Sequence, residues 1–244
     1  MTTNFYAPPS AFKGQRVVLP KDEVRHARAV LRAREGDEIV VVDGQGGWHR
    51  VTINHLSPDQ AIGTVQETRR DVGEPDVHLT VGLGLLTKRS RYETFVEKAV
   101  ELGARRIVPL HTAHTEPDTF RYERIRNVMV AALKQCRRSR LPDLSGPQTL
   151  DGVLGATEAD RRIICDGGKA ARPLSQALDG AGAGARVLVL IGPEGGFSEA
   201  EVDTAVNAGC APASLGPRRL RAETAGIAAT NAVMLYCEPG WGNA

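Results

Sequence analysis

Apolar and polar positions change rhythm near residue 75. Before it, short β-branched runs at 16–19, 38–43, 48–54 and 61–67 are broken by Gly36-Asp37, by Asp43-Gly44-Gln45-Gly46-Gly47 and by Ser57-Pro58-Asp59, the punctuation of strands and turns. Residues 22–33 place Val24, Ala27 and Leu31 at helical spacing behind Asp22 and Glu23, which suit the positive end of a helix. Residues 1–72 therefore predict a small β-barrel carrying one helix. From Val77 onward the pattern alternates: strand 77–83, helix 91–102, strand 106–110, helix 121–138, strand 162–166, a short helix near 173–178, strand 186–191, helix 198–208, strand 213–215 and helix 223–236. Such alternation calls for a parallel sheet covered by helices on both faces, here over residues 73–244. Gly103 and Gly209 fall at helix C-caps, Ser198-Glu199-Ala200-Glu201 reads as a capping box, and Gly180-Ala-Gly-Ala-Gly184 reads as a flexible loop.

Composition narrows the class. With 244 residues and 41% hydrophobic content the chain is globular, which excludes a disordered or collagenous protein. No apolar run approaches the roughly 20 residues of a membrane span, and Met1-Thr2-Thr3-Asn4-Phe5 lacks the regions of a signal peptide, so a soluble, cytoplasmic protein is expected. Cys136, Cys165, Cys210 and Cys237 are too far apart for a metal knuckle and are expected as reduced core thiols. No metal site is expected: His111 and His114, three residues apart, better suit hydrogen bonding.

A net charge of +2 leaves attraction to a polyanion to local patches. Arg25, Arg28 and Arg32 would share one face of the first helix. Residues 105–140 hold nine Arg or Lys against three acids, with Lys134, Arg137, Arg138 and Arg140 crowding one helix end. Each patch is also compatible with a solvated face or a favourable helix terminus. Two separated clusters suit a nucleic acid better than a small ligand.

Arg186-Val-Leu-Val-Leu-Ile191 followed by Gly192-Pro-Glu-Gly-Gly-Phe197 is a strand, a glycine turn and then a capped helix, a place where a ligand can approach main-chain N–H groups. Such a turn also occurs without a ligand. Leu215-Gly216-Pro217 and Leu220-Arg-Ala-Glu-Thr-Ala225 open a helix apolar on nearly every side, one that needs a sheet or another subunit to cover it, and Arg221 and Glu223 at its mouth are expected to be partly desolvated. Gly82-Leu-Gly84-Leu-Leu-Thr87 mimics the start of a dinucleotide fingerprint but lacks the third glycine.

The blocks Arg25-His26 through Val30-Leu31-Arg32 with Gly36-Asp37, Lys98-Ala-Val-Glu101-Leu-Gly103, Gln135-Cys-Arg-Arg138-Ser-Arg140-Leu-Pro142, Ile191-Gly-Pro-Glu-Gly-Gly-Phe-Ser198 and Leu215 to Ala225 resemble the ribosomal RNA small subunit methyltransferase E family, of the SPOUT class. The resemblance implies an α/β fold: a PUA-like RNA-binding barrel followed by a trefoil-knotted parallel-sheet domain. It also implies a homodimer that uses S-adenosylmethionine to methylate N3 of a uridine in 16S rRNA of the small ribosomal subunit. By the same resemblance, Leu190, Ile191, Gly192, Glu194, Gly195, Gly196, Leu215, Gly216, Leu220, Arg221, Glu223, Thr224 and Ala225 hold the cofactor. Arg25, His26, Arg28, Arg32, Lys88, Arg137, Arg138 and Arg140 meet RNA. Because uracil N3 must lose a proton, a cation that stabilises the developing base anion is favoured, and Arg138 is expected to stabilise that anion or to position its phosphate, with Glu223 or Glu194 orienting ligands. The rival readings are a non-enzymatic RNA-binding ribosome-assembly factor and an ordinary Rossmann-type enzyme; the latter should carry its glycine loop after the first strand of its sheet rather than after a late one.

Overall fold

A computed structural model describes residues 4–29, 32–116, 119–168 and 171–238. Val30 and Leu31, part of the first resemblance block and of the apolar stripe, lie outside the described residues, as does the start at 1–3. The chain divides into two compact units, one of residues 1–74 with 130–141, the other of residues 75–129 with 142–244.

In the first unit, β1 (Phe5–Tyr6), β2 (Phe12–Lys13), β3 (Arg16–Val18), β4 (Glu38–Val42), β5 (Gly47–Leu56) and β6 (Ala61–Arg70) form one six-stranded sheet in the order β1-β4-β5-β6-β3-β2. All pairs are antiparallel except β1 with β4. Burial alternates along β5, because successive side chains of a strand point to opposite faces. The inward set, with Phe5, Val17, Val41, Val51 and Ile53, packs on Val24 and Ala27 of α1 (Lys21–Ala29). This curled sheet is the PUA-like barrel. The helix is shorter than the sequence pattern predicts. The Ala33 N–H donates to the Ala27 carbonyl at 3.0 Å and Arg32 takes a left-handed φ of 50°, so Arg32 lies past the helix end and not on one stripe with Arg25 and Arg28.

The second unit is built on an eight-stranded parallel sheet: β7 (His78–Gly84), β8 (Arg106–His111), β9 (Asp143–Leu144), β10 (Gln148–Thr149), β11 (Arg161–Cys165), β12 (Arg172–Pro173), β13 (Arg186–Ile191) and β14 (Ala211–Ser214). Its order is β10-β8-β7-β13-β11-β14-β12, with β9 beside β8. Being covered on both faces, β7 and β13 are apolar and buried almost throughout, as parallel central strands must be. One face carries α7 (Ala222–Cys237), which packs on β7, on β13 and on α2 (Arg89–Glu101). On the other, α4 (Leu150–Ala156) and α6 (Glu199–Asn207) pack over Val108, Leu110, Ile164, Leu188 and Leu190. α5 is a single turn, Leu174–Ala177, while α3 (Tyr122–Cys136) runs across the division between the units.

Sequence punctuation is realised where backbone geometry demands it. Gly103 and Gly209 take left-handed φ of 106° and 85° after α2 and α6, where a Cβ would be strained. Ser198 and Glu201 form both bonds of the capping box. None of the four cysteines is in a disulfide; Cys210 and Cys237 are buried, while Cys136 and Cys165 are only partly so.

Candidate active site

Strands β14, β11 and β13 lie side by side, with Cys165 in register with both Ile191 and Ala213. Their C-terminal ends therefore deliver the loops at 165–168, 192–198 and 215–221 to one edge of the sheet, the edge where open α/β sheets bind ligands. A cavity of about 410 Å³ opens there, lined by Cys165, Ile191, Gly192, Pro193, Glu194, Arg219, Leu220, Arg221, Ala222, Ala225 and, from α2, Arg91. Ile191, Gly192, Glu194, Leu220, Arg221 and Ala225 are thus brought together as the sequence motifs suggested. Leu190 is fully buried in β13 behind the cavity. Gly195 lines a neighbouring opening, in which the His114 Cβ stands 2.8 Å from where a Gly195 side chain would begin, and the His114 Nδ1 is 3.2 Å from the Gly196 carbonyl. Leu215, Gly216, Glu223 and Thr224 are not among the cavity-lining residues.

The turn at 192–196 is held from several sides. The Gly196 N–H donates to the Pro193 carbonyl at 3.0 Å, and the Glu194 carboxylate accepts from the Thr87 N–H at 3.2 Å. Glu201 of the capping box also accepts from the Ala113 N–H at 2.8 Å. Glu194 is thereby a fastener between two loops as well as a lining group.

Helix α7 opens onto the cavity with no side chain capping its N-terminus, so its first N–H groups lack intrahelical partners. Glu223 in that turn is buried, with Oε1 3.5 Å from Arg91 Nε and Oε2 without any hydrogen-bond partner. A buried carboxylate oxygen left unpaired is costly, and its persistence is a sign of an intended ligand. Arg221, expected to be partly desolvated, is exposed at the N-cap of α7, on the rim of the cavity. Burial pushes the Cys165 thiol up to about 12, so it is a neutral apolar wall and not a nucleophile. Cys165, Arg91 and Arg219 were not singled out by sequence; what joins them to the motif loops is sheet order, not chain proximity.

The basic clusters look different in three dimensions. Arg25 and Arg28 are exposed on α1 and border a cavity of about 450 Å³ with Lys21. Lys88, at the start of α2, and Arg137 are exposed too. His26 is turned inward: its ring meets Phe5 edge-on at 5.8 Å and its Nε2 is buried without a partner, so the histidine expected to touch RNA serves packing. Much of the 105–140 charge is neutralised within the chain. Lys134 bonds Glu23 at 2.7 Å, Arg124 bonds Glu93 at 2.7 Å, and Arg140 pairs with Asp71. Arg138, the expected catalytic cation, is only 3% exposed. Its Nη2 and Nε donate to Glu74 at 2.7 and 3.2 Å. Buried and paired in this way, the guanidinium is held by Glu74 within its own unit rather than presented at the surface.

Known proteins share this architecture. Residues 73–234 match the model of an RNA methyltransferase domain, and residues 19–66 that of an RNA methyltransferase PUA domain. The ribosomal RNA small subunit methyltransferase E of Synechocystis sp. is 31% identical over 86% of this chain and 69% of its own, and that of Mycobacterium bovis is 30% identical over 94% and 90%. The crystal structure of a ribosomal RNA small subunit methyltransferase E from Neisseria gonorrhoeae bound to S-adenosyl methionine superposes with a TM-score of 0.86 at 26% identity, covering 97% of this chain and 98% of that one. With a two-domain match over most of its length and relatives at this level of identity, the chain belongs to the ribosomal RNA small subunit methyltransferase E family.

Proposed function

We propose that the protein methylates N3 of a uridine in 16S rRNA of the small ribosomal subunit, with S-adenosylmethionine held in the cavity at the ends of β11, β13 and β14. The observation that carries this reading is the cavity where the glycine turn after β13 and the loop after β14 meet the uncapped mouth of α7, with Arg91 on its wall 3.5 Å from the half-unpaired Glu223 carboxylate. Those walls fit the cofactor. Ile191, Leu220 and Ala225 offer apolar surface, the loops at 192–194 and 219–221 offer backbone donors and acceptors, and Glu194 offers negative charge to a cationic ligand, with Glu223 behind Arg91. Gly216, with φ of 117° and nothing within 4 Å of its missing side chain, leaves its backbone open as well.

When bound, the cofactor supplies an electrophilic methyl on a sulfonium. The residues of the chain then have two tasks: aligning the base nitrogen with that methyl, and managing the proton on N3. Arg91, Arg219 and Arg221 are the cations lining the cavity and are the groups placed to stabilise a uracil anion. Arg138 acts as a positioning residue, holding Arg137 and Arg140 in place, while Arg25, Arg28, Arg32, Lys88, Arg137 and Arg140 contribute salt-dependent phosphate contacts. The barrel of residues 1–72 is the RNA-binding domain, and the domain of residues 73–244 carries the knot and the transfer centre. An assembly factor without catalysis would leave the cavity and its carboxylate without a purpose.

Calorimetry with S-adenosylmethionine tests the cofactor site, and mass mapping of 16S rRNA from cells lacking the protein tests the product; a uridine still methylated in those cells would overturn the assignment. Glu223→Gln preserves shape and removes charge, so cofactor affinity should fall about tenfold, the effect of roughly 1.4 kcal/mol, with no loss of thermal stability. Unchanged affinity would remove Glu223 from the site.

The protein acts in the cytoplasm as a homodimer in this reading; no described helix is long and apolar enough to cross a membrane. Leu235 supports a subunit interface on α7, being 61% exposed on a helix otherwise buried along one side. Leu235→Glu should shift sedimentation toward monomer, and a variant that stays dimeric would place the interface elsewhere.

A further inference from the structure

A larger opening, about 570 Å³, lies between the β7–α2 loop and residues 119–125 and plays no part in the mechanism above. Its inner wall is apolar: Leu85 and Leu86 are buried, and the rings of Tyr92 and Phe120 meet edge-to-face at 6.1 Å. Tyr92 is 4% exposed, yet its hydroxyl has no hydrogen-bond partner. Buried polar groups are normally paired, and an orphan beside a cavity marks a place for a ligand's polar edge. The rim carries three arginines against two carboxylates, Glu93 and Glu116, and Glu116 accepts from the Thr87 hydroxyl at 3.2 Å. Arg89 and Arg121 are exposed there, whereas Arg124 is committed to Glu93.

Helix α2 adds a second, independent sign. It has 13 residues, no acid in its first turn and no side-chain cap, and it begins with Lys88, Arg89 and Arg91. Cations at the positive end of a helix repel one another and the dipole, an arrangement relieved by an anion. An apolar slot with a buried hydroxyl, next to a helix N-terminus ringed by guanidinium groups, fits a nucleotide: base inside, phosphate on the rim. Position narrows the choice further. An intermediate opening lined by Glu194 and Gly195 also includes Thr87 and Glu116, so it shares Glu194 with the cofactor cavity and Thr87 and Glu116 with this slot. The three openings are contiguous.

We propose that this slot is a nucleotide subsite that takes a base flanking the methylated uridine, with Tyr92 bonding its edge, Phe120 packing on it and Arg89 and Arg121 holding its phosphate. This rests on the reading of the neighbouring cavity as the methyl-transfer centre. Anchoring an adjacent nucleotide would fix the register of the strand and make Tyr92 and Phe120 specificity-determining residues.

The test uses full-length protein, saturating S-adenosylmethionine and small ribosomal subunits from cells lacking the protein. Tyr92→Phe and Phe120→Ala should each raise KM for subunits roughly three- to tenfold, the effect of one lost hydrogen bond or stacking contact, with kcat and cofactor affinity unchanged. Tyr92→Phe should also leave Tm unchanged or raised, which separates a ligand role from a folding role. Subunits carrying 4-thiouridine next to the target should cross-link to the peptide holding Tyr92 or to that holding Phe120. Wild-type KM in both variants, or cross-links confined to other segments, would overturn the subsite while leaving methyl transfer intact. A slot covered by a second copy of the chain would show as loss of dimer in Phe120→Ala and would overturn it too. Wild-type protein that binds no S-adenosylmethionine would instead overturn the transfer centre and the subsite with it.

Discussion

Replacing Arg138 with alanine is expected to lower stability by about 3–5 kcal/mol, the usual consequence of stranding one member of a buried ion pair. The side chains of Arg138 and Glu74 are 3% and 4% exposed. Glu74 accepts from the Arg138 guanidinium and also from the Ser139 and Arg140 N–H groups at 2.9 and 2.8 Å, so it pins the whole segment 138–140. Without the guanidinium the carboxylate keeps its amide donors but loses its counter-charge in a place water does not reach. Arg138→Met restores the packing and not the charge, so it should be nearly as harmful, while Arg138→Met with Glu74→Gln should recover most of the loss. Urea denaturation of the wild type, Arg138→Met, Glu74→Gln and the double variant measures the coupling directly. A cost below about 1 kcal/mol for Arg138→Ala would mean that the pair behaves like a surface one. Arg138→Lys keeps charge at the site: a folded lysine variant with normal cofactor affinity and no turnover would restore the catalytic role that the sequence motif suggested.

That pair also shows what local sequence can and cannot disclose. Windows of residues 105–140 count as strongly basic, but the acids that neutralise them stand far off in the chain, Glu23 being 111 residues from Lys134 and Glu74 being 64 from Arg138. The alternation in β4, β5 and β6 and the apolar runs of β7 and β13 are period signals, so those elements were legible; β9, β10 and β12 have two residues each and carry no period. Helix α4 escaped because Gly152 and Gly155 dilute it within seven residues, although Thr149, whose hydroxyl accepts from the Gly152 N–H, is a cap that a closer reading would find. The glycine turn and the Leu220–Ala225 block stood out as loops. That they share a cavity with Cys165 follows from β11 lying between β13 and β14, and with Arg91 from α2 packing on α7, facts of topology with no local trace.

Gly84, whose place in an incomplete dinucleotide fingerprint pointed to no ligand, is the position where a single methyl group should do most to the cofactor site. It ends β7, and a Cβ there would stand 2.4 Å from the Pro193 nitrogen and 2.5 Å from its Cδ. The obstruction is backbone and ring, which cannot rotate aside. The turn has no slack of its own either, since a Cβ on Gly192 would lie 2.8 Å from the Gly196 carbonyl carbon. Gly84→Ala must therefore push Pro193 outward and drag Gly192 and Glu194, both cavity walls, with it. Overpacking of this kind costs about 1–3 kcal/mol of stability, and the displaced turn should weaken S-adenosylmethionine binding by at least about tenfold. Gly155→Ala is the matched control: in α4, with open space around its missing side chain, it should stabilise the protein by about 0.5–1 kcal/mol through helix propensity alone and leave binding untouched. Calorimetric titration of both variants decides the matter, because wild-type affinity in Gly84→Ala would show that the walls around Pro193 are not the ones that grip the cofactor.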